Sequence, residues 1–177
     1  MDIHVLDPQW LADHDSQICA WSPFTVLWSI HHEFISAART PSGFYRVIEP
    51  NGGFTNDAQQ QVIIDIIQHS SPVAAFVDRF IQIYSVHTMS SRAHNDRPPD
   101  ASADAAAQML IHELQCLLNE CLPALIPLSK TLAYGDYGFT NDIQQVMLTS
   151  AATHIEHLVT MHTLLTRWIQ ANWTLNG

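Results

Sequence analysis

The stretch Gly138 to Trp168, GFTNDIQQVMLTSAATHIEHLVTMHTLLTRW, decides the fold class. Its Ile143, Met147, Ser150, His154, His157, Met161, Leu164 and Trp168 recur at alternating steps of four and three, the spacing of one stripe along an α-helix. A stripe of this kind faces a core, so two imidazoles are expected in an otherwise apolar seam. One helical turn rises about 5.4 Å, and side chains three residues apart project side by side. His154 and His157 can therefore reach a common point, which is what a metal requires of a single helix.

A metal held by side chains needs a further ligand, and a second copy of the motif supplies a candidate. The pentapeptide Gly53-Phe54-Thr55-Asn56-Asp57 repeats letter for letter as Gly138-Phe139-Thr140-Asn141-Asp142, and each copy is followed by a glutamine pair and an apolar run. His69 stands as far past Thr55 as His154 stands past Thr140. Thr, Asn or Asp caps a helix N-terminus, and Gln59 or Gln60 (Gln144 or Gln145 in the second copy) sits where a capping-box partner belongs. Both copies read as helix starts. Along the first, Val62, Ile66, His69, Val73, Phe76, Phe80 and Ile83 form the expected seam.

With 177 residues, 47% of them apolar, the chain is long enough for one domain with a sizeable core, taken as residues 1–177. The balance of 7 basic against 17 acidic residues, a formal charge of −10, argues against an extended phosphate-binding surface, so no nucleic-acid partner is expected. Cys19, Cys116 and Cys121 form no C-x-x-C pair, and their odd number fits a reducing compartment. Cys116 and Cys121, five apart, are expected to point in different directions. The N-terminus, MDIHVLDPQW, lacks an apolar core of the secretory kind, and no apolar run is expected to approach the length of a membrane span. A soluble, cytoplasmic protein without a membrane partner is the expectation.

Asp7-Pro8 caps a helix carrying Trp10, Leu11, Ile18 and Trp21, with a break or kink at Pro23, and Phe24 to Ala38 continues the first helical arm. Arg39 to Gly53 holds two prolines, three glycines and no sustained period, so a loop able to cover a site is expected. The second helix is expected from about Asn56 towards Val86, kinked at Pro72. Ser90 to Ser102 reads as a long polar crossover. A third helix is expected over Ala103 to Leu122, ended by Pro123 and Pro127, then a turn region from Leu128 to Tyr137 and a fourth helix to near Ala171. No segment alternates as a half-buried strand does. The fold class is all-α, a four-helix bundle with a long crossover between helices 2 and 3.

Residues 24 to 168 resemble the DinB-like (DinB/YfiT) bundle family. The likeness rests on the helix start and apolar run ending in His69, the polar crossover, the Ala- and Leu-rich third helix, and the Gly-Phe-Thr start leading to paired histidines. The resemblance implies a divalent metal (Zn, Ni or Fe) at one end of the bundle, held by His69, His154 and His157. It also implies thiol-dependent transferase or isomerase chemistry with a low-molecular-weight thiol, and a homodimer. In that family the second histidine of the pair stands four residues on, where this chain has Leu158, whereas His157 is three on. Spacing of three keeps both rings on one face, while another register pairs His157 with Thr153 and leaves one position without a ligand.

A metal held by three imidazoles, with its fourth position open, lowers the pKa of a bound water or thiol. Glu156, Thr153 and Asp65 are candidates to orient the rings. His31 and Cys19 are expected to be packing residues, and His162 a surface one. His32-Glu33 and His112-Glu113 lack the second histidine of a zinc-protease helix. The functional expectation is a metal-dependent enzyme acting on a small-molecule substrate through the Arg39–Gly53 loop and the bundle mouth. The alternative is a non-catalytic bundle with structural histidines that binds a partner or small molecule.

Overall fold

The computed structural model describes residues 6–92, 101–134 and 137–173. Among these the chain is all-helical, with seven α-helices and one 3-10 turn: α1 (Pro8–Asp13), α2 (Asp15–Cys19), α3 (Pro23–Ser42), α4 (Phe44–Ile48), the 3-10 turn Glu49–Asn51, α5 (Asp57–Arg92), α6 (Ala101–Tyr134) and α7 (Asp142–Trp173). The four long helices pack side by side: α3 against α5 and α7, and α6 against α5, α7 and α3. Helices α5 and α7 lie across from one another and are not a packed pair.

Local chemistry sets the helix starts. The Asp7 carboxylate accepts from the Gln9 and Trp10 amides with Pro8 at the first helical position, as the sequence indicates. At Pro23 the first arm does not kink. It ends and restarts, because the Ser22 side chain caps Thr25 N and Pro23 becomes the first residue of α3. Both GFTND copies are helix starts. Gly53 and Gly138 have positive φ (64° and 71°), a conformation that glycine adopts without Cβ strain. The Asn56 side chain then accepts from Gln59 N at 2.9 Å, and Asn141 accepts from Ile143 N and Gln144 N at 2.9 and 3.2 Å.

Prolines terminate less than expected. Helix α6 runs through Pro123 and Pro127, whose rings lie on its exposed side. Each proline removes one backbone donor and costs about 3 kcal/mol in a helix interior. The carbonyls they release at Asn119 and Pro123 also belong to exposed residues. Continuing the helix buries Leu125 and Leu132, which offsets part of that cost. Helix α5 runs through Pro72, as expected, and the carbonyl of Gln68, which Pro72 cannot bond, accepts the Ser71 hydroxyl at 2.8 Å.

The expected Arg39–Gly53 loop is mostly helical. Helix α3 continues through buried Pro41, and α4 places Phe44 and Ile48, both fully buried, one turn apart. They pack with Val62, Ile63, Ile66, Leu132, Leu148 and Ala151 in a second core cluster at this end of the molecule. The segment is therefore a packed end, closed by apolar burial that its Pro and Gly content conceals. The expected turn region from Leu128 is helical to Tyr134. The crossover falls mostly outside the described residues, with α5 reaching Arg92 and α6 beginning at Ala101.

Over Ala103–Leu132, α6 is long and apolar enough by composition to cross a membrane, mean hydropathy 1.2, which corrects the expectation that no run would be. Leu110, Leu114, Leu118, Leu122 and Leu125 of that stretch are buried against the other helices, which accounts for its composition.

Candidate metal centre

The seam of α7 divides near its middle. From Met161 onward the expected stripe is the buried one, with Met161, Leu164 and Trp168 at 0–2% exposure. Before that, the core face is set one residue later. Ile143 is 54% exposed, Ser150 is exposed and Met147 half-buried, while Gln144, Leu148, Ala151, Ile155 and Leu158 are buried. His154 and His157 therefore stand on the flank of the seam. Leu158 occupies the core itself.

That flank faces α3, and there the two imidazoles meet Glu33. His157 Nδ1 lies 2.9 Å from Glu33 Oε2, and His154 Nδ1 lies 3.8 Å from the same oxygen. The three side chains are partly buried, at 20–25% exposure, and their ligand-capable atoms all lie within 4.8 Å of one another. The imidazole rings stand edge to face with centroids 6.3 Å apart. With Glu33 as a carboxylate, its oxygen accepts and His157 Nδ1 donates. His154 Nδ1 is buried and has no hydrogen-bond partner.

An unsatisfied buried nitrogen costs free energy unless something occupies its lone pair or takes its proton. Burial also pushes the His154 pKa below its ordinary value, partly opposed by Glu33 and reinforced by His157. His154 is thus held as neutral imidazole, the form that binds metals. Two imidazoles and a carboxylate are a donor set for zinc or iron(II), and a cation would satisfy the orphaned nitrogen.

His69 is not part of this group. It is half-buried on α5, where the seam passes through buried Ser70 instead, and α5 lies across from α7. Of the expected three ligands, the structure brings together His154 and His157, and its third member is Glu33. The sequence offered one signal for it: Glu33 is the single acidic residue of α3, set between the fully buried Ile30 and Phe34.

Two of the candidate orienting residues have other partners, and Glu156 is exposed. The Thr153 hydroxyl donates to the Thr149 carbonyl and Asp65 accepts from Gln61. His31 is a packing residue, as expected: it is buried, its Nδ1 meets the Trp28 carbonyl, and its ring stacks on Trp28. His162 Nε2 lies 2.6 Å from Asn119 Oδ1. Cys121 is buried, with its thiol pushed up to about 11, whereas Cys116 is exposed, so the two do diverge. Cys19 is half-buried, and burial and Asp15 raise its pKa.

Burial lowers the pKa of His31, His112, His154 and His162 below the ordinary 6.5. The unfolded chain therefore takes up these protons first as pH falls, and the folded state loses stability from about pH 6.5 downward. The urea midpoint is expected to be lower at pH 5.5 than at pH 7.5, both above the ordinary carboxylate range. An unchanged or higher midpoint at pH 5.5 would contradict this.

No protein-family profile, curated protein sequence or solved structure matches the chain.

Proposed function

We propose that the protein is a metal-dependent enzyme built as a DinB-like four-helix bundle, with a divalent cation held by Glu33, His154 and His157. One observation carries the proposal: three ligand-capable side chains from α3 and α7 converge within 4.8 Å, and the His154 nitrogen aimed among them is buried without a partner. A divalent cation in such a donor set, with positions left open, lowers the pKa of a bound water or thiol and supplies a nucleophile near neutral pH.

The chain's own residues prepare the site. Burial keeps His154 neutral, so its nitrogen is ready to coordinate. Glu33 supplies the negative charge and, without the cation, holds His157 beside it through the 2.9 Å contact. Phe34 and Leu158, buried beside the ligands in sequence, hold the two helix flanks in place. The substrate class that fits is a small electrophile attacked by a low-molecular-weight thiol or by water, in line with the family resemblance.

The test is elemental analysis of protein purified without chelator or a metal-affinity tag. About one zinc, nickel or iron per chain is expected. Metal-free protein that remains so after incubation with each of the three ions would rule the proposal out.

A further inference from the structure

The repeated pentapeptide starts a long helix at its last residue in both copies, α5 at Asp57 and α7 at Asp142. The correspondence extends into the core. Buried Gln59, Ile63, Ile66, Ser70, Val73 and Phe80 of α5 match buried Gln144, Leu148, Ala151, Ile155, Leu158 and Leu165 of α7 at equal spacing. In the preceding helices, buried Val26, Ile30, Phe34 and Ala38 of α3 match Leu110, Leu114, Leu118 and Leu122 of α6. The packing repeats as well: α3 lies on α5 as α6 lies on α7, and α5 lies on α6 as α7 lies on α3. The two hairpins thus exchange places under an internal two-fold. Under it His69 corresponds to His154, but Pro72 stands for His157 and Leu117 for Glu33, so the metal centre belongs to one side only.

At the end where the two GFTND loops meet, the glutamine in the third helical position of each copy crosses to the other hairpin. Gln59 Nε2 donates to the Tyr137 carbonyl at 2.7 Å, in the residue before Gly138. Gln144 Nε2 donates to the carbonyls of Asn51 at 3.0 Å and Gly53 at 3.2 Å. Both side chains are almost wholly buried, at 1% and 4% exposure. Gln59 also accepts the Thr55 amide at 2.7 Å, bracing its own loop while it holds the other.

We propose that Gln59 and Gln144 form a reciprocal clasp, a single locking unit that fixes the hairpin α3–α4–α5 to the hairpin α6–α7 at this end of the molecule. A buried amide is satisfied only while the opposite loop keeps its carbonyls in place, and each loop is shaped by the helix start that carries the other glutamine. Loosening one side therefore removes the acceptors of the other, so the bonds of the two glutamines are made and lost together.

The test is urea unfolding of the full chain for Gln59→Met, Gln144→Met and the double variant, with Gln60→Met as a control. Methionine keeps the length and removes the hydrogen bonds. Gln60 is exposed in the same motif. Each clasp variant is expected to raise the unfolding constant about tenfold or more, as for a buried polar group losing its partner, while Gln60→Met leaves it unchanged. The double variant should fall short of the product of the singles by at least about threefold, the signature of one interacting unit. Effects that multiply fully, a silent single variant, or an equal loss in Gln60→Met would overturn the clasp. Should the methionine variants be too unstable to measure, Gln59→Asn and Gln144→Asn give the same cycle at smaller amplitude, with the same shortfall required.

Discussion

Glu33→Ala is expected to abolish stoichiometric metal binding, whereas His69→Ala leaves it intact. The contrast separates two ligand sets that share His154 and His157. In the structure the third member of the cluster is the Glu33 carboxylate, 2.9 and 3.8 Å from the two imidazoles, and His69 stands on the helix across the molecule. Removing Glu33 takes away the only negative charge in the group and one of three donors. Loss of an orienting partner alone typically costs 10–100-fold in metal affinity, so loss of a donor should exceed about a hundredfold. His154→Ala is expected to lose the metal as well. Titration with zinc against a competing chromophoric chelator reads all three variants. Retained affinity in Glu33→Ala with loss in His69→Ala would instead establish a three-histidine centre of the family type. Far-ultraviolet circular dichroism on each variant checks that the helices persist.

Phe34→Ala is expected to cost about 3–5 kcal/mol of folding stability, the range for emptying a large aromatic site in a well-packed core. Phe34 is fully buried on α3 and sits edge to face with both Phe76 and Phe80 of α5, at centroid distances of 5.4 and 4.9 Å. Truncation loses the transfer free energy of the ring, both aromatic contacts, and the packing around the space left behind. Against a typical total stability of about 5–15 kcal/mol, this would leave the protein marginal. Phe34→Leu, which keeps most of the volume, should lose clearly less. Urea unfolding at pH 7.5 followed by circular dichroism measures both. A loss below about 1 kcal/mol for the alanine variant would mean that α3 and α5 do not share this core.

The elements most readable from the chain were those carried by local chemistry. The helix starts at the two GFTND copies, Asp7-Pro8 at the first helix, and the Met161, Leu164 and Trp168 seam all follow from side chains acting on their own backbone or from an unambiguous apolar period. The all-helical class rests on the same signals. Tertiary structure decided the rest, wherever the free energy of a residue depends on a distant partner. Gln144 replaces Ile143 on the core face because carbonyls of another loop accept its amide, which no period in α7 can reveal. That one-residue shift moves His154 and His157 from the middle of the seam to its flank. Pro123 and Pro127 stay inside α6 because they fall on its exposed side while Leu125 and Leu132 are buried, and α4 is helical because Phe44 and Ile48 find a core waiting. The paired histidines were legible as one helix face. Their third partner was marked only as the lone acidic residue of its helix, because the meeting of Glu33 with His154 and His157 depends on α3 packing beside α7, and helix pairing is settled by burial summed over the whole molecule.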